Sequence, residues 1–380
     1  MTARVVVAMS GGVDSSVAGA LLREAGYEVV GVAMRLAPEA AHAASRRATC
    51  CSHEDFEDAR RVAERLDFPF YVVDLREDFA ARVVGNFVSE YLAGRTPNPC
   101  VMCNREIKFD RLWQRARALG ADFVATGHYA RTDRDLNGRF HLLRARDTAK
   151  DQSYFLFSLT QAELARTLFP LGAITKAEVR ARARELGLAN ADKPESQEIC
   201  FVPDGDYAGL VERATSRDRI RPGRIVDHAG TTLGAHRGVH HFTIGQRRGL
   251  GFASSEPMYV REIHGDTGTV VVGRREELSS AGLLAKDVSL VDASRTARRL
   301  EVEVKTRYRQ NPVPAVLALA AERRAEVRFL ASGPAVTPGQ ACVFYRGEAR
   351  LDNRGVVVID LAAQRGECEA HALTPPGPAR

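Results

Sequence analysis

Lysine is scarce in this chain: only six of its 54 basic residues are lysine, at 108, 150, 176, 193, 286 and 305, although the net charge is +6. Arginine therefore carries the positive charge, and its planar fork pairs well with phosphate oxygens. A GC-rich genome produces the same preference, so charge alone does not single out nucleic acid. No apolar run approaches the ~20 residues that a membrane helix needs. The opening "MTARVVV" has one arginine and too short an apolar stretch for a secretion signal. A cytoplasmic protein with no membrane partner is expected. The cysteines, Cys50, Cys51, Cys100, Cys103, Cys200, Cys342 and Cys368, are odd in number, which argues against a disulfide framework and for reduced thiols with specific tasks. There is no internal repeat. At 380 residues, 45% hydrophobic and 27% charged, the chain has material for two or three globular domains.

Two textures follow one another. Up to about residue 205, apolar strands alternate with amphipathic helices. Strands are predicted at 4–9, 29–34, 70–74 and 122–126, and helices at 15–25, 54–66, 79–92 and 105–119. Ser52 is a plausible N-cap, and Gly26, Gly94 and Gly120 are helix stops. "TKAEVRARARELGL" closes the region with a capping box, Thr175 and Glu178, and a terminal Gly187. This pattern predicts a Rossmann-like parallel sheet covered on both faces. Beyond it, "GTVVVG", "LEVEVKTRY", "AEVRFL", "ACVFYRG" and "GVVVIDL" alternate between turns, as antiparallel β does. The expected domains are 1–205 (α/β), 206–280 (small, β-rich) and 281–370 (β-barrel), with 371–380 a disordered tail.

The first strand runs into "AMSGGVDSSVAG", residues 8–19. In an open α/β sheet, ligands bind beyond the carboxyl ends of the strands, and the first strand-to-helix turn is a favoured place. Gly11 and Gly12 let backbone amides approach an anion. Ser15 and Ser16 add hydroxyls where the helix dipole favours negative charge. Asp14 could organise the loop or help hold a metal on the phosphates. Neither GxxxxGK[ST] nor GxGxxG is present. "SGGVDS" instead resembles the PP-loop of the N-type ATP pyrophosphatases, which cut ATP between its α and β phosphates and transfer AMP to a substrate oxygen.

A nucleophile must then displace AMP, and cysteine is the candidate. "GRTPNPCVMCNREIKF" (94–109) places Cys103 just before the predicted helix start at Arg105, where the dipole, Arg105 and Lys108 would favour thiolate. "DKPESQEICFVPDGDY" (192–207) places Cys200 among polar residues at the end of the α/β region. Either thiol alone would more often be an apolar filler.

Together with "ATGHYAR", "KDQSYFL", "ESQEICFV", "FTIGQRRGL" and "RYRQ", these stretches resemble the tRNA-specific 2-thiouridylases. The motifs run in family order from residue 8 to about 345. The resemblance implies an ATP-dependent tRNA-uridine 2-sulfurtransferase that exchanges the C2 oxygen of wobble uridine 34 for sulfur. Its substrates would be tRNAs for lysine, glutamate and glutamine, and its sulfur source a persulfide from a sulfur-relay protein or cysteine desulfurase. It implies ATP, with Mg2+, at Ala8, Met9, Ser10, Gly11, Gly12, Val13, Asp14 and Ser15, with Met34 and Gly127 at the nucleotide. Cys200 would bear the persulfide. Cys103 would attack it and leave a Cys103–Cys200 disulfide. Asn98, Pro99 and Cys100 fall where the family meets the target base; His128, Lys150, Asp151, Gln152, Arg307, Tyr308 and Gln340 fall where it meets tRNA.

One departure stands out. Many family members carry aspartate at the position of Cys100, so the proton-transfer role of that aspartate is not carried over. "CVMC" with Cys200 could instead hold three corners of a [4Fe–4S] cluster, or serve a thiol–disulfide relay. "TCC" (49–51) could supply a further thiol, whereas Cys342 and Cys368 read as structural. A segment near 195–205 that moves when tRNA binds is also expected. Two rivals are weaker. A PP-loop ligase or amidotransferase needs an ammonia source, and nothing here resembles a glutaminase. A non-catalytic tRNA binder would not need the loop and both thiols intact.

Overall fold

The computed structural model describes residues 2–36, 52–195, 199–202, 204–290 and 299–346, together with the backbone of 356–358. The expected tail and Cys50, Cys51 and Cys368 lie outside the described residues. The chain divides into two compact units: Met1–Val84, Pro99–Gly205 and Gly347–Val357 form one, and Gly85–Asn98, Asp206–Arg346 and Val358–Arg380 the other.

In the first unit, β1 (Arg4–Ala8), β2 (Glu28–Arg35), β3 (Phe70–Asp74), β4 (Phe123–Thr126) and β7 (Thr167–Leu168) make a parallel sheet in the order β3-β2-β1-β4-β7. Alternation along β1 explains its unbroken apolar run. Val5 and Val7 enter one core with Val17 and Leu22 of α1 (Val13–Glu24), Val62 of α2 (His53–Arg65) and Val179. Val6 and Ala8 enter the other with Val30, Val32, Ile107 and Leu112. A strand buried on both faces needs no polar side, and each buried valine contributes about 1.5–3 kcal/mol. Ser52 caps α2 through a reciprocal box with Asp55, as expected. β5 (Ala130–Arg134) and β6 (Phe140–Arg144) add an antiparallel hairpin.

The helix predicted from Arg105 starts six residues earlier. Helix Pro99–Cys103 continues through a π-helical Asn104–Arg111 into Leu112–Ala118. Pro99 occupies the first helical position, where its fixed φ and missing N–H cost nothing. The π-helical stretch shifts the facing of the buried Val101 relative to Ile107, Leu112 and Ala116, so a 3.6-residue period does not carry the helix back to Pro99. Cys103 is therefore inside the helix and not at its N-terminus. The dipole effect expected on Cys103 does not hold.

In the second unit, the ring of Tyr91 on α3 (Gly85–Leu92) stacks on that of Tyr207, with centroids 4.9 Å apart. β8 (Gly223–Val226), β9 (Thr232–His236), β10 (Tyr259–His264) and β11 (Thr269–Gly273) form a sheet in the order β10-β11-β8-β9 around Ile225, Val260, Val270 and Val272. This sheet is not wholly antiparallel as expected: β11 pairs with β8 in parallel, because the long excursion through β9 and β10 returns the chain in the same sense. β12 (Ser280–Ala285), β13 (Arg299–Lys305), β14 (Val313–Leu319), β15 (Ala325–Gly333) and β16 (Val343–Tyr345) pair antiparallel in the order β12-β15-β14-β13-β16. Cys342 is wholly buried in that core, and burial pushes its thiol pKa up, so it is structural, as expected. Among the described residues no helix is long and apolar enough to cross a membrane.

Candidate active site

The strand order changes direction at β1, with β2 on one side and β4 on the other, so their carboxyl ends open the crevice where such sheets bind ligands. Ala8 and Met34 lie buried at the ends of β1 and β2, and the Met9 amide donates to the Val32 carbonyl at 2.9 Å. Gly11 sits at φ +72°, where a Cβ would collide with the Asp55 backbone; a Cβ on Gly127 would come within 2.7 Å of the Ser15 nitrogen. Close backbone approach therefore requires glycine at both. The Ser10 amide donates to Ser15 Oγ (3.2 Å), while Ser15 and Ser16 hydroxyls both donate to the Gly12 carbonyl (3.0 Å). The N-cap Gly12 supplies no side chain to the first turn, which begins at Val13. The turn thus keeps backbone donors for an anion.

A partly buried ionic chain faces this turn. Lys176 Nζ donates to both oxygens of Asp14 (2.7 and 2.8 Å) and lies 2.9 Å from Glu195. Lys150 reaches the same Glu195 at 2.7 Å, and Tyr129 donates its hydroxyl to Asp14 at 2.8 Å. Burial alone would raise the Glu195 pKa, but the two ammonium groups override it and hold the carboxyl at about 2. Burial, then the Asp14 charge, pushes the Tyr129 phenol up, so it stays a donor. No motif in the sequence singles out Lys176. Its signal was present, since lysine at the first position of helix Lys176–Glu185 opposes the helix dipole and needs a compensating partner.

The segment leading to Cys200 is staked to this turn. Asn190 donates to the Gly11 carbonyl and to Ser16 Oγ, both at 2.9 Å, and Lys193 pairs with Asp55 and Asp58. The expected motion of 195–205 falls partly on residues 196–198 and 203, which lie outside the described residues. Cys103 and Cys200 are both half-buried against the apolar cluster that holds Ala8 and Met34. Cys100 is exposed, and Cys100, Cys103 and Cys200 are thiols, not disulfides. Arg105, expected to favour thiolate at Cys103, places Nε 3.0 Å from Glu106.

The remaining predicted residues divide by what they do. His128 is buried with Nδ1 2.8 Å from Thr126 Oγ1; burial, then Lys108, lowers its pKa and keeps it neutral. Asp151 is buried and accepts from the Ala145 and Ser153 amides and the Ser153 hydroxyl, so it braces its own loop. Gln152 Oε1 accepts from the Tyr129 amide at 3.0 Å. In the second unit, Gln340 donates to the carbonyls of Thr96 (2.8 Å) and Pro97 (3.2 Å), fixing the turn that precedes Asn98. Arg307 donates to the Ile244 carbonyl and Thr337 Oγ1. Lys305 lies over the Tyr308 ring at 5.6 Å. Arg247 and Arg248, inside "FTIGQRRGL", are exposed beside the Ile244 that Arg307 grips, and were not singled out from the sequence. These cations and the aromatic form a surface suited to a phosphate backbone.

Residues 3–204 match the family described as a tRNA methyl transferase HUP domain, 215–274 a tRNA methyl transferase PRC-barrel domain, and 280–351 an aminomethyltransferase beta-barrel domain. The chain is 53% identical over 370 residues to the tRNA-specific 2-thiouridylase MnmA of Geobacter metallireducens, covering 96% of this chain and 98% of that one. It is 52% identical to the protein of the same name from Geotalea uraniireducens (92% and 93% covered) and 45% identical to that of Clostridium perfringens (91% and 96% covered).

Proposed function

The chain belongs to the tRNA-specific 2-thiouridylase family, and from that premise we propose that it exchanges the C2 oxygen of wobble uridine 34 for sulfur at the expense of ATP. The observation that carries this reading is the physical tie between the PP-loop and the Cys200 segment through Asn190.

The C2 carbonyl of uridine is a poor electrophile. Its oxygen attacks the α-phosphorus of ATP, and pyrophosphate departs into the turn Ser10–Ser15. The backbone donors of this turn and the Lys176 ammonium stabilise the charge developing on the phosphates, as preorganised donors do. The cradle formed at Gly11 and Gly127 and the Asp14 carboxylate fit a nucleotide with Mg2+; the ion would neutralise phosphate charge there. The terminal sulfur of a Cys200 persulfide then attacks C2. Cys103 thiolate attacks the Cys200 sulfur, the sulfur–sulfur bond breaks towards the transferred atom, and AMP leaves carrying the uridine oxygen. The product is 2-thiouridine and a Cys103–Cys200 disulfide, which an external thiol must reduce before the next turnover. Water has to be excluded throughout, since it would regenerate uridine, and the base must leave the anticodon stack.

The domains on this reading are the α/β half 1–205 for chemistry, and 206–280 and 281–370 for gripping tRNA through Arg247, Arg248, Arg307 and Tyr308. Lys150 is the one lysine of the ionic chain with a partly exposed side chain, suited to meet a phosphate. The substrates are the lysine, glutamate and glutamine tRNAs, with sulfur from a relay protein or desulfurase. The thiols of Cys100, Cys103 and Cys200 also suit a [4Fe–4S] cluster by donor chemistry.

The test is sulfur transfer itself. Metal-analysed anaerobic protein is given tRNA, Mg-ATP and a persulfide source, and digested tRNA is assayed for 2-thiouridine. Product that needs Cys200 and Cys103 but no iron is the expected result. Product that tracks bound iron and also needs Cys100 replaces the persulfide route with a cluster. ATP cleavage with no thiouridine overturns the substrate assignment.

A further inference from the structure

The second unit carries a cluster of metal-binding side chains that the thiolation chemistry does not use. His240 and His241 end the short 3-10 turn Val239–His241, and Glu212 lies on helix Tyr207–Ala214. One donor atom from each lies within 4.8 Å of the other two. Glu212 Oε1 is 3.4 Å from His240 Nε2 and 3.1 Å from His241 Nε2. Two atoms bound to one zinc ion at about 2.0–2.1 Å along tetrahedral directions sit roughly 3.4 Å apart, so these spacings suit a shared ion.

Hydrogen bonding accounts for only part of the cluster: His240 Nε2 shares a long 3.4 Å bond with Glu212 Oε1. His241 Nε2 is buried without a hydrogen bond although Glu212 Oε1 lies 3.1 Å away. His240 is 1% exposed. An orphaned buried nitrogen such as His241 Nε2 is costly unless something else satisfies it. Glycine at 238 is what admits the His240 ring, with which a Cβ there would collide. The groups facing the cluster do not compete for it. His236 gives Nε2 to the Gly268 carbonyl at 2.9 Å, and the Tyr207 hydroxyl points to the His241 carbonyl.

We propose that Glu212, His240 and His241 form a divalent transition-metal site of the zinc class, with a fourth position open to water beside the exposed Glu212. Two imidazoles and a carboxylate are donors that suit zinc better than magnesium or calcium. The ion ties helix Tyr207–Ala214 to the turn just ahead of Thr243–Leu250, the loop that presents Arg247 and Arg248.

The test uses the full chain with Cys50, Cys51, Cys100, Cys103, Cys200 and Cys368 changed to serine, which leaves the wholly buried Cys342 as the one thiol. Stripped protein is titrated with Co2+ and then with Zn2+. One Co2+ per chain is expected, with visible d–d absorption, no sulfur charge-transfer band, displacement by zinc and a zinc-dependent rise in Tm. Glu212→Gln and His241→Asn, at the less buried positions, weaken the metal about tenfold or more and leave the metal-free Tm unchanged. Absence of saturable micromolar Co2+ uptake overturns the site, as does uptake that both variants leave unaltered.

Discussion

In the first unit, lysines are drawn inward: Lys176, with 10% of its side chain exposed, serves both Asp14 and Glu195, and Lys193 serves Asp55 and Asp58. In the second, arginines stay at the surface, where Arg261, Arg274 and Arg328 pair with Glu277, Glu256 and Glu326. Exposed pairs of the second kind contribute about 0–1 kcal/mol. Pairs of the first kind give back part of their attraction as desolvation. Their concentration around one glycine turn marks where the chain needs fixed charge, and the arginine-rich surface marks where it needs only a net attraction.

The largest expected contrast is between Lys176→Ala and Arg328→Ala. Lys176→Ala should cut single-turnover thiolation about 100-fold, the usual cost of losing one preorganised electrostatic group. Arg328→Ala should leave the rate unchanged and stability within about 0.5 kcal/mol. Equal effects would erase the distinction between the units.

Gly127→Ala should cost about 1–3 kcal/mol in urea unfolding through overpacking against the Ser15 backbone, and should weaken ATP binding in equilibrium titrations. Normal ATP affinity would mean that β4 and the loop need not meet so closely.

Acidification sharpens the comparison further. The Glu195 pKa is depressed from 4.5 to about 2, so its stabilisation is present above 4.5 and is lost as pH falls towards 2. Glu195→Gln should be less stable than the parent at neutral pH, the gap closing over that window. A gap independent of pH would show that the ion pairs contribute nothing. His128 has the opposite cause and the same sign. Its lowered pKa means that the unfolded chain takes the proton first, so acidification below 6.5 costs stability, and His128→Gln should flatten that part of the curve.

A small effect is expected at Gln340. Gln340→Ala loses two hydrogen bonds to Thr96 and Pro97, about 1–2 kcal/mol in all. Gln340→Glu should cost more, because a carboxylate then faces two carbonyls. A phosphate-contacting role without a clasp would leave unfolding unchanged and show only in tRNA affinity.

Local chemistry was legible in the sequence. The strand, glycine turn and helix of residues 4–24 are adjacent, and the Ser52 and Thr175 capping boxes span four residues each. The ionic chain was not legible, because Asp14 and Lys176 are 162 positions apart, Gly11 and Asn190 179. Gln340 drew attention as an RNA contact, yet its amide closes on a turn 244 positions away. The π-helical Asn104–Arg111 hid the true helix start at Pro99 by breaking the period on which recognition depends.

One ammonium, that of Lys176, answers to two carboxylates on different segments. An anion that captures it at the glycine turn must loosen its hold on Glu195, five residues before Cys200. On the persulfide route proposed above, nucleotide occupancy and persulfide loading of Cys200 would then share one coupling free energy, so loading should shift ATP affinity by the factor by which ATP shifts the loading equilibrium.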